Sequence, residues 1–129
     1  MIPVVHDYET KSGKDITKHG RQVHLNDPHA DIVFLSYKIG MEKTQLWKPG
    51  LPIPECFENP EPYHFFAFNA QFDWAVTNIL GVKYGFKAQR LDQITDVMAL
   101  CGRYSYPQKL EKAATAMNLP IAKDRRGKA

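Results

Sequence analysis

Two carboxylates near the start of the chain have the type and spacing to bind a divalent cation. Asp7 and Glu9 follow the apolar run at residues 2–5, which predicts a β-strand. Alternate side chains of a strand share a face, so Asp7 and Glu9 lie on one side while His6 and Tyr8 lie on the other. Neighbouring carboxylates repel unless a cation lies between them, and Mg²⁺ prefers such oxygen ligands. A solvated pair of acids at the end of a strand is the alternative interpretation.

A third carboxylate follows a second apolar strand. Residues 63–68 (Tyr-His-Phe-Phe-Ala-Phe) are apolar on both faces, which predicts an interior strand. The next helix is expected to have Asn69 as its N-cap and Asp73 in its first turn, where the helix dipole stabilises an anion. Because strand ends of such sheets tend to meet at one crevice, we expect Asp73 to approach Asp7 and Glu9. Ordinary helix capping is the alternative explanation of Asn69 and Asp73.

Further strands must accompany these two. Apolar alternation predicts a strand at residues 31–39, a returning strand at residues 43–48, and a short strand at residues 91–95. In the first of these, one face is expected to carry Val33, Leu35, Tyr37 and Ile39. The pattern therefore predicts five strands, the first three of them arranged as a meander.

The predicted helices fall mainly in the second half of the chain. Residues 15–19 allow a single helical turn that ends at Gly20, Asp96 is placed to cap a helix at residues 97–103, and Pro107 begins the last helix. The helix after the fourth strand has an apolar stripe formed by Phe72, Ala75, Val76, Ile79 and Leu80. The element order predicts a single α/β domain at residues 1–129, with a mixed sheet flanked by helices.

Composition excludes several classes of protein. A chain of 129 residues that is 43% hydrophobic fits one globular domain, and no apolar run reaches membrane-spanning length. Cys56 and Cys101 are too few for a disulfide framework and lack metal-ligand spacing, so an intracellular, cytoplasmic location is expected. The net charge of +3 permits an anionic partner, with basic residues gathered at residues 11–21 and 123–128.

The two acidic motifs together resemble a known family. Residues 7–9 (Asp-Tyr-Glu) and 69–73 (Asn-Ala-Gln-Phe-Asp) resemble the first and second motifs of the DEDD, or DnaQ-like, 3′–5′ exonucleases, whose fold is RNase H-like. The likeness is greatest to the proofreading domain of bacteriophage family A DNA polymerases, and residues 96–100, 106–114 and 119–124 also resemble phage polymerase sequence. The resemblance spans nearly the whole chain, and it implies a location in the host cytoplasm.

The resemblance implies two-metal hydrolysis of the 3′-terminal phosphodiester of single-stranded DNA. Asp7 would bridge two divalent ions, Mg²⁺ or Mn²⁺, while Glu9 binds one of them and Asp73 holds the second through water. Asn69 would help to place the terminal nucleotide. Contacts with the 3′ end would come from Thr10, Lys11 and Ser12. A plain surface loop is the alternative for these last three residues.

One part of the family pattern is absent from the sequence. The third motif, Tyr-x-x-x-Asp or His-x-x-x-x-Asp, carries a fourth carboxylate on a late helix, and no residues show this spacing. Asp124 is a weak candidate because it lies in a charged, linker-like stretch. We therefore expect a domain that lacks its final helix, exposes an apolar face of the sheet, and needs a downstream segment or a separate polymerase chain.

Three origins of such a shortened domain remain open. The chain is the N-terminal piece of a split polymerase, a decayed or truncated gene product, or an artificial truncation. The open frame that follows the codon for Ala129 would separate them, since a Tyr-x-x-x-Asp motif there indicates a split gene.

Two other functions are open at this point. The chain could be a catalytically inactive fragment that binds single-stranded DNA or docks onto a polymerase chain. Aromatic residues available for base stacking are Phe65, Phe66, Trp74 and Tyr84, although their spacing also suits a core. The third function, a structural domain without a nucleic-acid role, leaves the set of Asp7, Glu9 and Asp73 unexplained.

Overall fold

A five-stranded mixed sheet forms the centre of the computed structural model, which describes residues 1–119. Its strands are β1 (Ile2–Lys11), β2 (Asp31–Ile39), β3 (Gln45–Trp47), β4 (Tyr63–Ala67) and β5 (Ile94–Asp96). The spatial order is β3-β2-β1-β4-β5, with antiparallel pairing from β3 to β1 and parallel pairing from β1 to β5. The strand that carries both early acids is therefore central.

Helices flank this sheet, so the predicted α/β class is confirmed. They are α1 (Ile16–Asn26), α2 (Glu55–Glu58), α3 (Ala70–Ile79), α4 (Val97–Arg103) and α5 (Leu110–Ala116), with 3₁₀ turns at Gly81–Tyr84 and Leu91–Gln93. Among residues 1–119, no helix is long and apolar enough to cross a membrane. Asp124 and the basic stretch at residues 123–128 lie outside the described residues.

The two faces of β1 differ as its alternation predicts. Val4, His6 and Tyr8 are buried, whereas Asp7 and Glu9 are exposed. Helix α3 packs against the buried side, where Val76 and Thr77 are wholly inaccessible to solvent. Phe57 and Phe65 belong to the same core. Burial of the apolar side chains fixes which way β1 faces.

β1 is longer than the parallel strand beside it. Pairing with β4 covers only Ile2–Val5, whereas pairing with β2 continues to Lys11. Within residues 1–119, the second half of β1 therefore has no strand on its β4 side, and its backbone groups there need other partners.

The prediction of a single helical turn that ends at Gly20 is wrong about the extent of α1. The helix kinks at Gly20, whose φ of 80° and ψ of 169° are not helical, and then continues to Asn26. The second part buries His24 and Leu25. Glycine tolerates this backbone conformation, so the chain turns there and resumes its helix with an apolar side chain against the core.

The predicted face of β2 is wrong at Val33. Phe34 lies opposite Glu9 but Ile32 lies opposite Thr10, so the register shifts and one residue of β2 is extra. Ile32 is consequently buried and Val33 is 41% exposed. A bulge of this kind breaks a strict alternation.

Several element ends also differ from the predicted ones. β3 is limited to Gln45–Trp47, residues 91–93 form a 3₁₀ turn before β5, and α5 begins at Leu110 rather than at Pro107. The cap by Asp96 is confirmed, because its Oδ1 accepts a hydrogen bond of 3.0 Å from the Met98 backbone N–H.

Candidate functional site

A hydrogen bond joins Asp73 to the backbone of β1. The Tyr8 N–H donates to Asp73 Oδ1 at 3.1 Å, and Asp73 is only 2% exposed. This N–H belongs to the part of β1 that extends past β4, so the carboxylate satisfies a donor that lacks a strand partner. Tyr8 lies between Asp7 and Glu9, so the bond fixes Asp73 beside the segment that carries both acids.

The Tyr8 side chain forms a second bond to α3, at Thr77, one turn after Asp73. Its hydroxyl and the Thr77 hydroxyl are 2.7 Å apart, and both side chains are buried. Burial raises the pKa of Tyr8 well above its ordinary value, so the phenol stays neutral and remains able to donate. Two bonds from one residue of β1 therefore set the position of α3, and with it Asp73.

Asp7 lines a cleft on the solvent-facing side of β1. The cleft has a volume of about 760 Å³, and Phe68 and Asn69 line it beside Asp7. Lys109, Glu111 and Lys112, from the start of α5, also line it. Two carboxylates and two ammonium groups in one cleft can accommodate a cation together with an anionic ligand such as a phosphodiester.

Asn69 precedes α3 as predicted, but its side chain does not cap the helix. Its backbone is left-handed, with φ 64° and ψ 59°, a conformation that asparagine tolerates better than most residues. The Asn69 N–H donates to Asp96 Oδ1 at 2.9 Å, which ties the end of β4 to the end of β5. The residue is exposed at the cleft.

The end of β1 and the loop that follows it are hydrogen-bonded to α1. The Thr10 hydroxyl lies 3.1 Å from His24 Nε2, and the Ser12 hydroxyl donates to the His24 carbonyl at 2.7 Å. Both hydroxyls thus hold the loop in place, whereas Lys11 is exposed. DNA contact by Thr10, Lys11 and Ser12 stays a prediction.

Asp27, at the end of α1, also forms hydrogen bonds to the loop after β1. Its Oδ2 accepts hydrogen bonds from the Gly13 N–H at 2.8 Å and the His29 N–H at 3.1 Å. These bonds, led by the one from Gly13, hold the pKa of Asp27 below its ordinary value. The sequence marks Asp27 as a turn residue but gives no signal of its bond to a loop 14 positions earlier.

Basic side chains lie beside the same end of α3. Arg21 Nη2 is 3.4 Å from Gln71 Oε1, so α1 contacts the first turn of α3. Lys14 and Lys18, which flank the start of α1, are exposed. Arg21 therefore places a positive charge beside the first turn of α3.

The donor types of the acidic residues fit a hard divalent cation. Asp7, Glu9 and Asp73 offer carboxylate oxygens, the ligands that Mg²⁺ and Mn²⁺ take. Over residues 1–119, however, no three His, Cys, Asp or Glu side chains are gathered into a metal-binding group. The Asp73 side chain is bonded to the backbone of β1 at Tyr8. Further oxygen ligands would have to complete a metal site.

His6 is a residue that the sequence reasoning left without a role. It is 2% exposed, and its Nδ1 lies 3.7 Å from Asp73 Oδ1. The signal was present in the alternation of β1, which puts His6 on the same face as Tyr8 and therefore toward α3.

Comparison with known proteins gives no assignment. No protein-family model matches the chain, and no curated protein matches it significantly. The resemblance to the DEDD exonucleases therefore stays a prediction.

Proposed function

We propose that this chain is a metal-dependent 3′–5′ exonuclease domain of the DnaQ-like, RNase H-like class, of the proofreading type found in phage family A DNA polymerases. The bond between the Tyr8 N–H and Asp73 Oδ1 carries the proposal. It brings the acid of the second motif to the backbone between the two acids of the first. Neither acid pairing in solvent nor helix capping requires this contact.

Asp7, Glu9 and Asp73 are the residues that would hold two divalent ions, Mg²⁺ or Mn²⁺. When bound, such ions activate a water molecule and stabilise the charge that develops on the phosphate. The protein itself fixes Asp73 through Tyr8 and keeps Asp7 and Glu9 on the accessible side of β1. Burial of Asp73 protects that carboxylate from competition by solvent.

The cleft beside Asp7 is the proposed binding place of the DNA 3′ end. Asn69 would hydrogen-bond the terminal nucleotide, and Lys109 and Lys112 of the same cleft would neutralise phosphates. Lys11 extends the positive charge along the loop after β1. A single strand suits this cleft because an unpaired end can enter it without a second strand.

The fourth carboxylate is proposed to come from a downstream segment or a separate polymerase chain. The sequence has no Tyr-x-x-x-Asp motif, and the acids of residues 1–119 do not form a metal group on their own. The isolated chain should therefore be a weak nuclease, and the added segment should complete the site.

A docking role without catalysis is the second candidate. Val5 and Leu46 are 54% and 58% exposed, and their strand pairings put them on the face of the sheet opposite α3. Apolar side chains exposed in this way favour contact with another chain. A catalytically inactive fragment that binds single-stranded DNA or a polymerase chain would have the same surface.

A nuclease assay separates the two. A single-stranded oligonucleotide labelled at its 5′ end would be incubated with Mg²⁺ or Mn²⁺ and the chain, alone and with the polypeptide encoded immediately downstream. We expect slow shortening from the 3′ end by the chain alone and fast shortening by the pair.

Two variants make the assay specific. Asp7→Ala should abolish the restored activity, whereas Glu42→Ala, which removes an exposed carboxylate on the turn after β2, should leave it unchanged. If Asp7→Ala shortened the oligonucleotide as fast as the wild-type protein does, the metal assignment would be wrong. Fast cleavage by the isolated chain would refute the need for a partner.

A further inference from the structure

His6 is enclosed by aromatic rings on the buried side of β1. The rings of Tyr8, Phe57 and Phe65 each lie with their centroids 5.6 Å from that of the imidazole, at steep interplanar angles. The side chain is fully inaccessible to solvent. Water therefore cannot solvate the ring nitrogens, and each nitrogen depends on the few polar atoms within reach.

The polar contact at His6 Nε2 is with the Gln89 side-chain amide. His6 Nε2 lies 3.4 Å from Gln89 Nε2, and Gln89 is itself 3% exposed. An amide nitrogen donates and does not accept, so the imidazole Nε2 is the acceptor of this pair. A neutral ring that accepts at Nε2 carries its proton at Nδ1.

The other ring nitrogen, Nδ1, faces the acid of the second motif. It lies 3.7 Å from Asp73 Oδ1 and has no hydrogen-bond partner among residues 1–119. The same oxygen accepts the Tyr8 N–H at 3.1 Å. The His6 imidazole and the Tyr8 N–H, from alternate residues of β1, thus both lie beside one oxygen of a buried carboxylate.

We propose that His6 is a positioning residue, which acts through Asp73 in the exonuclease reaction proposed above. The Tyr8 N–H binds Asp73 Oδ1, and the His6 imidazole packs against the same oxygen with Nδ1 3.7 Å away, so both keep the carboxylate on the α3 side of β1. The second carboxylate oxygen, Oδ2, takes no part in these two contacts and would be the one available to a metal ion. This role depends on the proposed function, whereas the contact between His6 and Asp73 does not.

Activity variants test the role in positioning. Outer partners of a metal ligand contribute about 10-fold or more in activity, so His6→Leu should lower kcat by about that factor, with KM unchanged. His6→Asn, whose amide N–H takes the place of Nδ1–H, should restore most of kcat. His6→Gln places its amide near the Nε2 position instead and should remain low. The matched control is His64→Leu, which removes a histidine bonded to Thr95 and should keep kcat.

If His6→Leu does not fold, the comparison of His6→Asn with His6→Gln still tests the proposal. His6→Asn and His6→Gln introduce the same amide group and differ in where it lies. Higher kcat in His6→Asn supports the proposal, and equal or higher kcat in His6→Gln overturns it. A change in KM with kcat unchanged would also overturn it, because positioning of a metal ligand acts on the chemical step.

A thermal double-mutant cycle tests the contact without any nuclease activity. The unfolding midpoints of His6→Gln, Asp73→Ala and the double variant would be compared with that of the wild-type protein, because each single change removes one partner of the contact. A double loss smaller than the sum of the single losses shows coupling, and additive losses overturn the contact. A wild-type protein that has no nuclease activity with its partner overturns the proposed function and the catalytic role of His6. The cycle still decides the contact in that case.

Discussion

The two sides of β1 show how one strand can serve two purposes. On the α3 side, His6 and Tyr8 are buried, and hydrogen bonds connect Tyr8 to Asp73 and Thr77. On the other side, Asp7 and Glu9 are exposed, and Asp7 lines the cleft. The first side fixes a carboxylate by packing, and the second leaves carboxylates accessible to ligands.

This difference explains why the acids of the site have unequal structural roles. Asp73 satisfies a backbone donor in the core, so its removal disturbs both the fold and the site. Asp7 and Glu9 are exposed and do not belong to the hydrophobic core. Substitutions on the two sides should therefore separate loss of function from loss of stability.

The largest expected effect is the loss of activity in Asp7→Ala. Bound metal ions supply several kcal/mol of transition-state stabilisation, so we expect a decrease in nuclease rate on the order of 10³-fold. Because Asp7 is exposed, the free energy of unfolding should change by about 0.5 kcal/mol or less. Rate measurements and urea denaturation check the two parts. A strongly destabilised Asp7→Ala would show that this side of β1 is also structural.

Next in size is the contrast between two adjacent valines. Val4 is fully buried and Val5 is 54% exposed, so Val4→Ala should lower the free energy of unfolding by about 2 kcal/mol and Val5→Ala by well under half of that. Urea denaturation of both variants provides the comparison, and each serves as the control for the other. Equal losses would mean that both faces of β1 are covered.

Asp73→Ala should combine the two kinds of loss. It leaves the Tyr8 N–H without its acceptor in the core, which costs about 1–3 kcal/mol, and it also removes a proposed metal ligand. The expected outcome is an inactive and less stable protein, whereas Asp7→Ala is inactive and stable. If Asp73→Ala were as stable as the wild-type protein, the bond to Tyr8 would be energetically unimportant.

The smallest effect is expected for Tyr8→Phe. This change removes the hydroxyl bonded to Thr77 and leaves both acids and the Tyr8 N–H in place, so unfolding should become easier by about 1 kcal/mol. Nuclease activity should be retained. Tyr104→Phe, at a residue that is 68% exposed, is the control and should leave stability unchanged. A large loss of activity in Tyr8→Phe would require a direct role of the phenol in the reaction.

Much of the fold could be predicted because apolar periodicity determines which segments form strands and which form helices. The mixed sheet, the alternation of β1 and the helix after β4 follow from local pattern. The bulge that exposes Val33 depends on how β2 pairs with β1, and the continuation of α1 past Gly20 depends on burial of Leu25. Neither is encoded in a short window of sequence.

Part of the geometry of the candidate site was also predictable. The orientation of Asp7 and Glu9 follows from the alternation of β1, and the meeting of strand ends predicts that Asp73 lies near β1. Its bond to the Tyr8 N–H was not predictable, because it requires β4 to end before β1 does. The fastening of Thr10 and Ser12 to His24 likewise depends on tertiary packing of α1.

Cation binding tests the central claim most directly, because it does not depend on catalysis or on a DNA substrate. Titration with Mn²⁺ of the wild-type protein, together with the polypeptide encoded immediately downstream, would be followed by calorimetry and compared with Asp7→Ala and with the control Glu42→Ala. The account predicts that the wild-type protein and Glu42→Ala bind Mn²⁺ alike and that Asp7→Ala loses this binding. Equal binding of Mn²⁺ by Asp7→Ala and the wild-type protein would contradict a metal site on this side of β1.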